Sequence, residues 1–429
     1  MRSLATLALA SLLVVGCTTA EQPLPNEPAG PAPAPSPLAP VAPGPTIEAS
    51  GPSDAAVRAA NAFGLDLYER LRSSEGNLAF SPASIALALA MTYAGARGET
   101  AEEMRDALHL PADGAALHAA WASVLAGYQA LGREPEAPTL RVVDRLFGER
   151  SLRFDPGFLE LTARRYGGEL APSDFLGAPE AERARINGWV AEQTAGRITD
   201  LMPQGSVSSA TSLVLVNALY LKASWAHPFD RDHTRPGSFA SPGRGPHDVP
   251  LMRRQGEARY ATTPDAELCE LDYRGGRFAT LFVLPKDAAG LPALEARLDA
   301  AAVASWVAAL GPTEVDVTLP RFRLEPSASL SLGTHLAALG MPLAFGAGAD
   351  FSGVGDGAAF HLDDVVHKAF VAMDEAGTEA AAATATAMTM GMRVPRADAP
   401  TFVADHPFLF FVRDTQTGLV LFAGRVVEP

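Results

Sequence analysis

Ser212 to Ala223, SLVLVNALYLKA, is an apolar run broken in its middle by one amide, Asn217. Its β-branched residues, and the lack of any charge before Lys222, suit a strand covered on both faces, because a half-solvated strand would alternate polar and apolar. A chain with such a strand must lay other elements against both of its sides. It must also answer Asn217, since a buried amide left unpaired costs about 1–3 kcal/mol.

The remaining elements supply the cover. Ser53 stands where it would cap a helix whose Val57, Ala60, Phe63, Leu67 and Leu71 recur at helical spacing. Ser81-Pro82 opens a second helix, apolar nearly all round and therefore buried, that stops at Gly95. Thr100 and Glu103 have the spacing of a capping box for a third. Ile186 to Ile198 fits a surface helix and its C-terminal turn. Phe278–Leu284 fits a strand, Val315–Leu324 one broken by Pro320, and Leu330–Leu339 a helix ending at Gly340. Val365–Met373 fits another strand, and the end of the chain a hairpin around Asp414 to Gly418. Helices and strands mix without a repeat or a regular βαβ alternation, so the class is α+β.

A net charge of −15 over 429 residues argues against nucleic acid as a partner, since phosphate binding needs a basic face. With only Cys17 and Cys269, no disulfide framework or cysteine zinc site can form. Residues 1–16 carry Arg2, then an apolar run too short to cross and stay in a membrane. Val14-Val15-Gly16-Cys17 resembles a bacterial lipobox, in which Cys17 would become the lipidated N-terminus; a plain secretory signal cleaved near Ala20 is the alternative. Residues 17–52 are rich in Pro and Ala and read as an extended tether, roughly 35 residues with a reach on the order of 100 Å. The expected organisation is a signal at 1–16, a tether at 17–52 and one folded domain at 53–429, exported and either anchored to a membrane through Cys17 or secreted.

One stretch is ambiguous by design of its residues. Val371 to Arg393, VAMDEAGTEAAAATATAMTMGMR, begins like a strand, passes an acidic turn and enters a run of small residues. Taken with a period of two, Thr378, Ala380, Ala382, Thr384, Thr386, Met388 and Met390 share one face and could be buried, while Glu379 falls on the other. Gly391 to Pro400, rich in Gly, Pro, Arg and Asp, reads as exposed loop. The stretch suits both the surface and a sheet interior, which suggests a conformational switch; an Ala-rich helix is the alternative, against which four threonines count.

Catalytic signatures are missing. The chain has no G-x-S-x-G elbow, H-E-x-x-H, P-loop or dinucleotide fingerprint. His361 and His367 share no obvious metal geometry, and His367 in an apolar strand suits a hydrogen-bonded core histidine. No enzyme, metal or cofactor is expected.

Taken together the motifs resemble those of the serpin family. Asn77 with FSPASIALALAMTYAGARGET, then INGWVAEQTAGRI (Arg197 standing for the family's usual lysine) and LVLVNALYLKASWAHPFD, occur in the family's order. LPRFRLE, LGMPLAF, ADFSG, VVHKAFVAMDEAGTEAAAAT and HPFLFFVRDTQTGLVLFAGRV follow. The resemblance implies three β-sheets with some eight to nine helices and an exposed reactive-centre loop after the strand near Val365. It further implies a monomer that inhibits serine endopeptidases. The protease cleaves the loop and is trapped as a covalent acyl-enzyme while the loop's first half inserts into the central sheet, an instance of strand addition. A cross-class cysteine-protease inhibitor and a non-inhibitory binding protein are the alternatives.

The resemblance assigns Glu375, Gly377, Thr378, Glu379, Ala380, Ala381, Ala382, Ala383 and Thr384 to the hinge. Ser81, Asn217 and His367 fall to a hydrogen-bonded group beneath the parting strands, and Trp225 to the point where they first open. Counted from Glu375 the scissile bond is Gly391–Met392. Counted back from Thr401 and Pro407 it is Arg393–Val394, with Met390 a further candidate.

Overall fold

The computed structural model describes residues 47, 52–131, 138–356, 360–378 and 399–429, all within the compact unit Pro37–Pro429. Among these residues are nine α-helices, a nine-stranded sheet, a six-stranded sheet and two two-stranded pairs. The α+β class and the expected sheets and helices are present.

The six-stranded sheet is built around the run that opened the sequence. Its order is Phe322–Leu324, Val371–Met373, Gly377–Thr378, Leu213–Ser224, Thr139–Glu149 and Glu169–Ser173. Beneath it lies the helix Pro82–Tyr93, apolar all round and almost wholly buried, as its lack of a polar face requires. Ser81 caps it, accepting from the Ser84 N–H at 3.1 Å, with Pro82 in the first turn where a missing N–H costs nothing. On the other face the helix Pro179–Gln193 covers Phe147 and Val216 through Ile186 and Val190.

Leu213–Ser224 is covered less evenly than its composition suggests. Leu219, Tyr220, Leu221 and Ala223 are buried, whereas Leu213, Val214 and Leu215 remain partly exposed. There one edge pairs with Thr139–Glu149, and the other borders a cleft with no strand on it among the described residues.

Pro320 does more than break a strand. Gly311–Pro320 belongs to the nine-stranded sheet and Phe322–Leu324 to the six-stranded one, with Arg321 the single residue between them. Its N–H donates to the Pro250 carbonyl at 2.9 Å. In the nine-stranded sheet, Phe278–Pro285 and the hairpin strands Phe408–Asp414 and Val420–Val426 are buried at every position.

Four local expectations need correction. Thr100 and Glu103 form no capping box: the helix begins earlier, at Gly98, and both side chains accept from a neighbouring loop instead, from Asp350 N at 2.9 Å and Leu343 N at 2.8 Å. Ser53 begins its helix through its carbonyl, and its side chain caps nothing. Leu330–Ser331 is a short strand paired with Val366–His367, and only Gly333–Ala338 is helical. Val365–Met373 is two short strands, Val366–His367 and Val371–Met373, because the first pairs away from the central sheet.

Candidate functional site

Local chemistry at the turn Asp374–Gly377 sets up the site. The Asp374 carboxylate accepts from the Ala376 and Gly377 N–H groups at 2.8 and 3.1 Å, which reverses the chain after Val371–Met373. Burial pushes this carboxyl above its ordinary range against those two bonds. Trp225, fully buried and stacked on Tyr273 at 4.5 Å, donates its indole N–H to the Asp374 carbonyl at 3.0 Å. Backbone N–H groups of Trp225 and Phe229 donate to the Ala376 and Glu375 carbonyls. Trp225 therefore clasps the turn from which the ambiguous stretch departs.

Glu375 is buried within the same turn. Burial pushes its carboxyl up, but hydrogen bonds from Arg321 and from Thr234 Oγ1, the latter 2.6 Å away, outweigh it and hold the group below its ordinary value. An anion is thereby stabilised at the junction of the two large sheets.

Gly377 and Thr378 form the shortest strand of the sheet and its most consequential one. Gly377 pairs with Ser224, and Thr378 with Ala223 on one side and Met373 on the other, both antiparallel. Gly377 has φ +150°, and a Cβ there would collide with the Ala223 carbonyl, so only glycine fits. Thr378 is buried, its hydroxyl hydrogen-bonded to that of Tyr273, which also meets Thr280 Oγ1 at 2.8 Å. This inward side chain agrees with the even-numbered face expected for burial.

Farther along Leu213–Ser224, toward its beginning, lies a cleft of about 390 Å³. Leu213–Asn217 form one wall, Leu362–His367 the other, and Ser84, Ile85, Ala88, Leu89 and Thr92 of the buried helix the floor. Among the described residues the cleft edge of Leu213–Ser224 is paired only by Gly377 and Thr378.

A chain of hydrogen bonds crosses under this cleft. His367 Nε2 accepts from the Ser81 N–H at 3.0 Å, and burial holds the imidazole down to about 4, so it is neutral. Ser81 Oγ donates to the Leu421 carbonyl at 2.5 Å while accepting from Ser84 N. The Ser84 hydroxyl donates to Asn217 Oδ1, and Asn217 Nδ2 donates to Asp144 Oδ1 at 2.6 Å. Ser81, Asn217 and His367 are thus brought together, while Trp225 lies apart from them, just past the end of Leu213–Ser224. Two members were missed by sequence reasoning. Ser84 sits one turn along from Ser81, and Asp144 falls in phase with Leu140 and Leu146, inward positions of a strand. An acid in that phase was the available signal.

Several expected site residues lie outside the described ones: Glu379, Ala380, Ala381, Ala382, Ala383 and Thr384 of the hinge, Met390, Gly391, Met392, Arg393 and Val394 at the scissile region, and Cys17. Cys269 is described, and burial pushes its thiol up to about 12, which suits an inert core residue.

The comparisons with known proteins agree with this geometry. Residues 58–429 match the family model "Serpin (serine protease inhibitor)". A serpin-like protein of Thermococcus kodakarensis is 40% identical over 373 residues, spanning 87% of this chain and 85% of its own. The leukocyte elastase inhibitor of Bos taurus is 40% identical over 378 residues, spanning 86% and 97%. The crystal structure of human thyroxine-binding globulin with thyroxine superposes with a TM-score of 0.78 at 27% identity, over 88% of this chain and 99% of that one. Match and architecture lead to one conclusion: the chain belongs to the serpin family.

Proposed function

We propose that this protein inhibits serine endopeptidases as a suicide substrate. A protease cleaves the segment after Thr378, at Gly391–Met392 or nearby at Met390 or Arg393–Val394. It is then trapped as an acyl-enzyme while the new N-terminal end enters the central sheet. The observation that carries this reading is the pairing of Gly377–Thr378 with Ala223 and Ser224, on an edge of Leu213–Ser224 that no other described residue pairs and that borders a 390 Å³ cleft at Leu213–Asn217. Continued in the same antiparallel register, residues as far as Met388 would find partners along Leu213–Ser224, with Thr384 opposite Asn217. At about 1 kcal/mol net for each new ladder bond, insertion would release on the order of 10 kcal/mol, enough to distort a captured enzyme. The sequence Gly377-Thr378-Glu379-Ala380-Ala381-Ala382-Ala383-Thr384 supports it further, because nothing bulky on its inward face opposes burial. We also propose export by the signal at 1–16, a lipid anchor at Cys17 and a monomeric domain held off the membrane by the 17–52 tether.

The test is incubation with elastase-, subtilisin- and trypsin-like proteases. A covalent, SDS-resistant complex is expected, and mass spectrometry of the released C-terminal fragment identifies the scissile bond. Thr378→Arg should instead be cleaved without complex formation. Simple cleavage of the wild type by every protease would refute inhibition and favour a binding role, as in the relative whose structure holds thyroxine.

A further inference from the structure

The carboxyl at the end of the hydrogen-bonded chain is unlike its neighbours. Asp144 lies directly opposite Asn217 in the strand pairing and accepts from it through Oδ1. Its Oδ2 is enclosed and has no hydrogen-bond partner among the described residues. With Ser84 on Asn217 Oδ1 and Asp144 facing Nδ2, the two partners fix which way the amide points. Asn217 itself borders the cleft, and Asp144 stands one strand behind it.

Among the described residues no cation answers this acid. From the helix Pro156–Tyr166 comes the buried Tyr166, whose hydroxyl meets His118 Nδ1 of the helix Gly114–Gln129 at 2.6 Å. Arg165 acts on His118, which burial and that charge hold down to about 4. The helix Pro82–Tyr93 brings only serines and apolar groups near Asn217. On the neighbouring strands, Glu169 is exposed and Lys222 lies near the far end, beside Thr139. His367, at the other end of the chain, is neutral. Burial, opposed only by the Asn217 bond, pushes Asp144 up to about 7.

A cleft of this size admits water to Asn217. Filling it with a strand expels that water and draws solvent further from Asp144. A carboxylate loses far more by this than a neutral acid does.

We propose that Asp144 is a positioning residue of the cleft: neutral, it holds the Asn217 amide in place to border an incoming strand, and ionised, it opposes the filling of the cleft. The proton resides on Oδ2, the oxygen that no donor faces, so Oδ1 keeps its bond in either form. This inference rests on the reading that a strand enters the cleft. By linkage, the filled state binds the Asp144 proton more tightly, so filling is favoured at low pH and disfavoured as pH rises through the titration of the unfilled form.

The test uses the full-length protein and a synthetic peptide, TEAAAATATAMTM, that copies residues 378–390. Annealing is followed by native-gel shift at about pH 6 and about pH 8.5, where the wild type should slow about tenfold. Asp144→Asn, always neutral, should anneal at the faster rate at both. Asp144→Ala serves as a second neutral variant should the first fold poorly, and it too should show no slope. A wild type insensitive to pH, a neutral variant with the wild-type slope, or no annealing by any of them would overturn the proposal. Protease trapping is scored separately on SDS gels. PH-dependent annealing without a covalent complex would remove the inhibitory reading and leave Asp144's role standing.

Discussion

At residue scale the strand Gly377–Thr378 depends on what cannot be added. Gly377 combines a positive φ with a backbone neighbour where a side chain would sit. Gly377→Val should therefore lose the pairing with Ser224. It should destabilise the protein by about 1–3 kcal/mol from backbone strain and, on the function proposed above, shift the outcome from trapping toward plain cleavage; a melting curve and an SDS gel check both outcomes. Sequence alone marks this glycine as a pivot, because small residues follow an acidic turn. It does not reveal the collision with Ala223, since that carbonyl is supplied by a strand some 150 residues away. The same distinction separates Asn217 from Asp144. An amide inside an apolar run announces that it needs a partner. An acid in Thr-Leu-Arg-Val-Val-Asp-Arg sits beside Arg145, and only its phase with Leu140 and Leu146 marks it as inward; the partner it meets comes from pairing with Leu213–Ser224.

At the scale of elements, long apolar stretches were legible and short polar ones were not. Pro82–Tyr93, Phe278–Pro285 and the C-terminal hairpin appear where their periodicity or continuous apolarity puts them, because burial dominates their energetics. Thr100 and Glu103 misled because their side chains serve the loop at Leu343 and Asp350, a tertiary demand that overrides local capping. Val366–His367 leaves the central sheet because Leu330–Ser331 offers it a partner, a choice that period two cannot express. The edge of Leu213–Asn217 that borders the cleft, unpaired among the described residues, then has a measurable consequence. Protein cleaved within residues 390–394 should melt about 20 °C higher than intact protein if a strand adds on the order of 10 kcal/mol. Calorimetry of the two forms makes the comparison, and equal melting temperatures would count against insertion.

On the scale of the whole molecule, buried ionisable groups give stability a direction in pH. His118 and His367 are bases with depressed values, about 4 against 6.5. Their contribution is full above about pH 6.5 and is lost as pH falls toward about 4, because the unfolded chain binds their protons first. Asp144, raised to about 7, acts in the opposite sense: its ionisation costs stability progressively up to about pH 7. Asp144→Asn should consequently stabilise the protein most above about pH 7 and little near about pH 4, measured as the difference in denaturant midpoint between the two proteins. The link at Arg321 bears on how the molecule can open. One residue joins strands of different sheets, and its N–H and guanidinium are both engaged, with Pro250 and Glu375. Just past the end of Leu213–Ser224, Trp225 is fastened to Tyr273 and to the Asp374 carbonyl. Such a joint has no slack, so the two walls resemble tongs riveted at one end. Any spreading has to accumulate toward Leu213 and Leu362, and a strand threaded from the rivet would find the tightest fit first and the most room last.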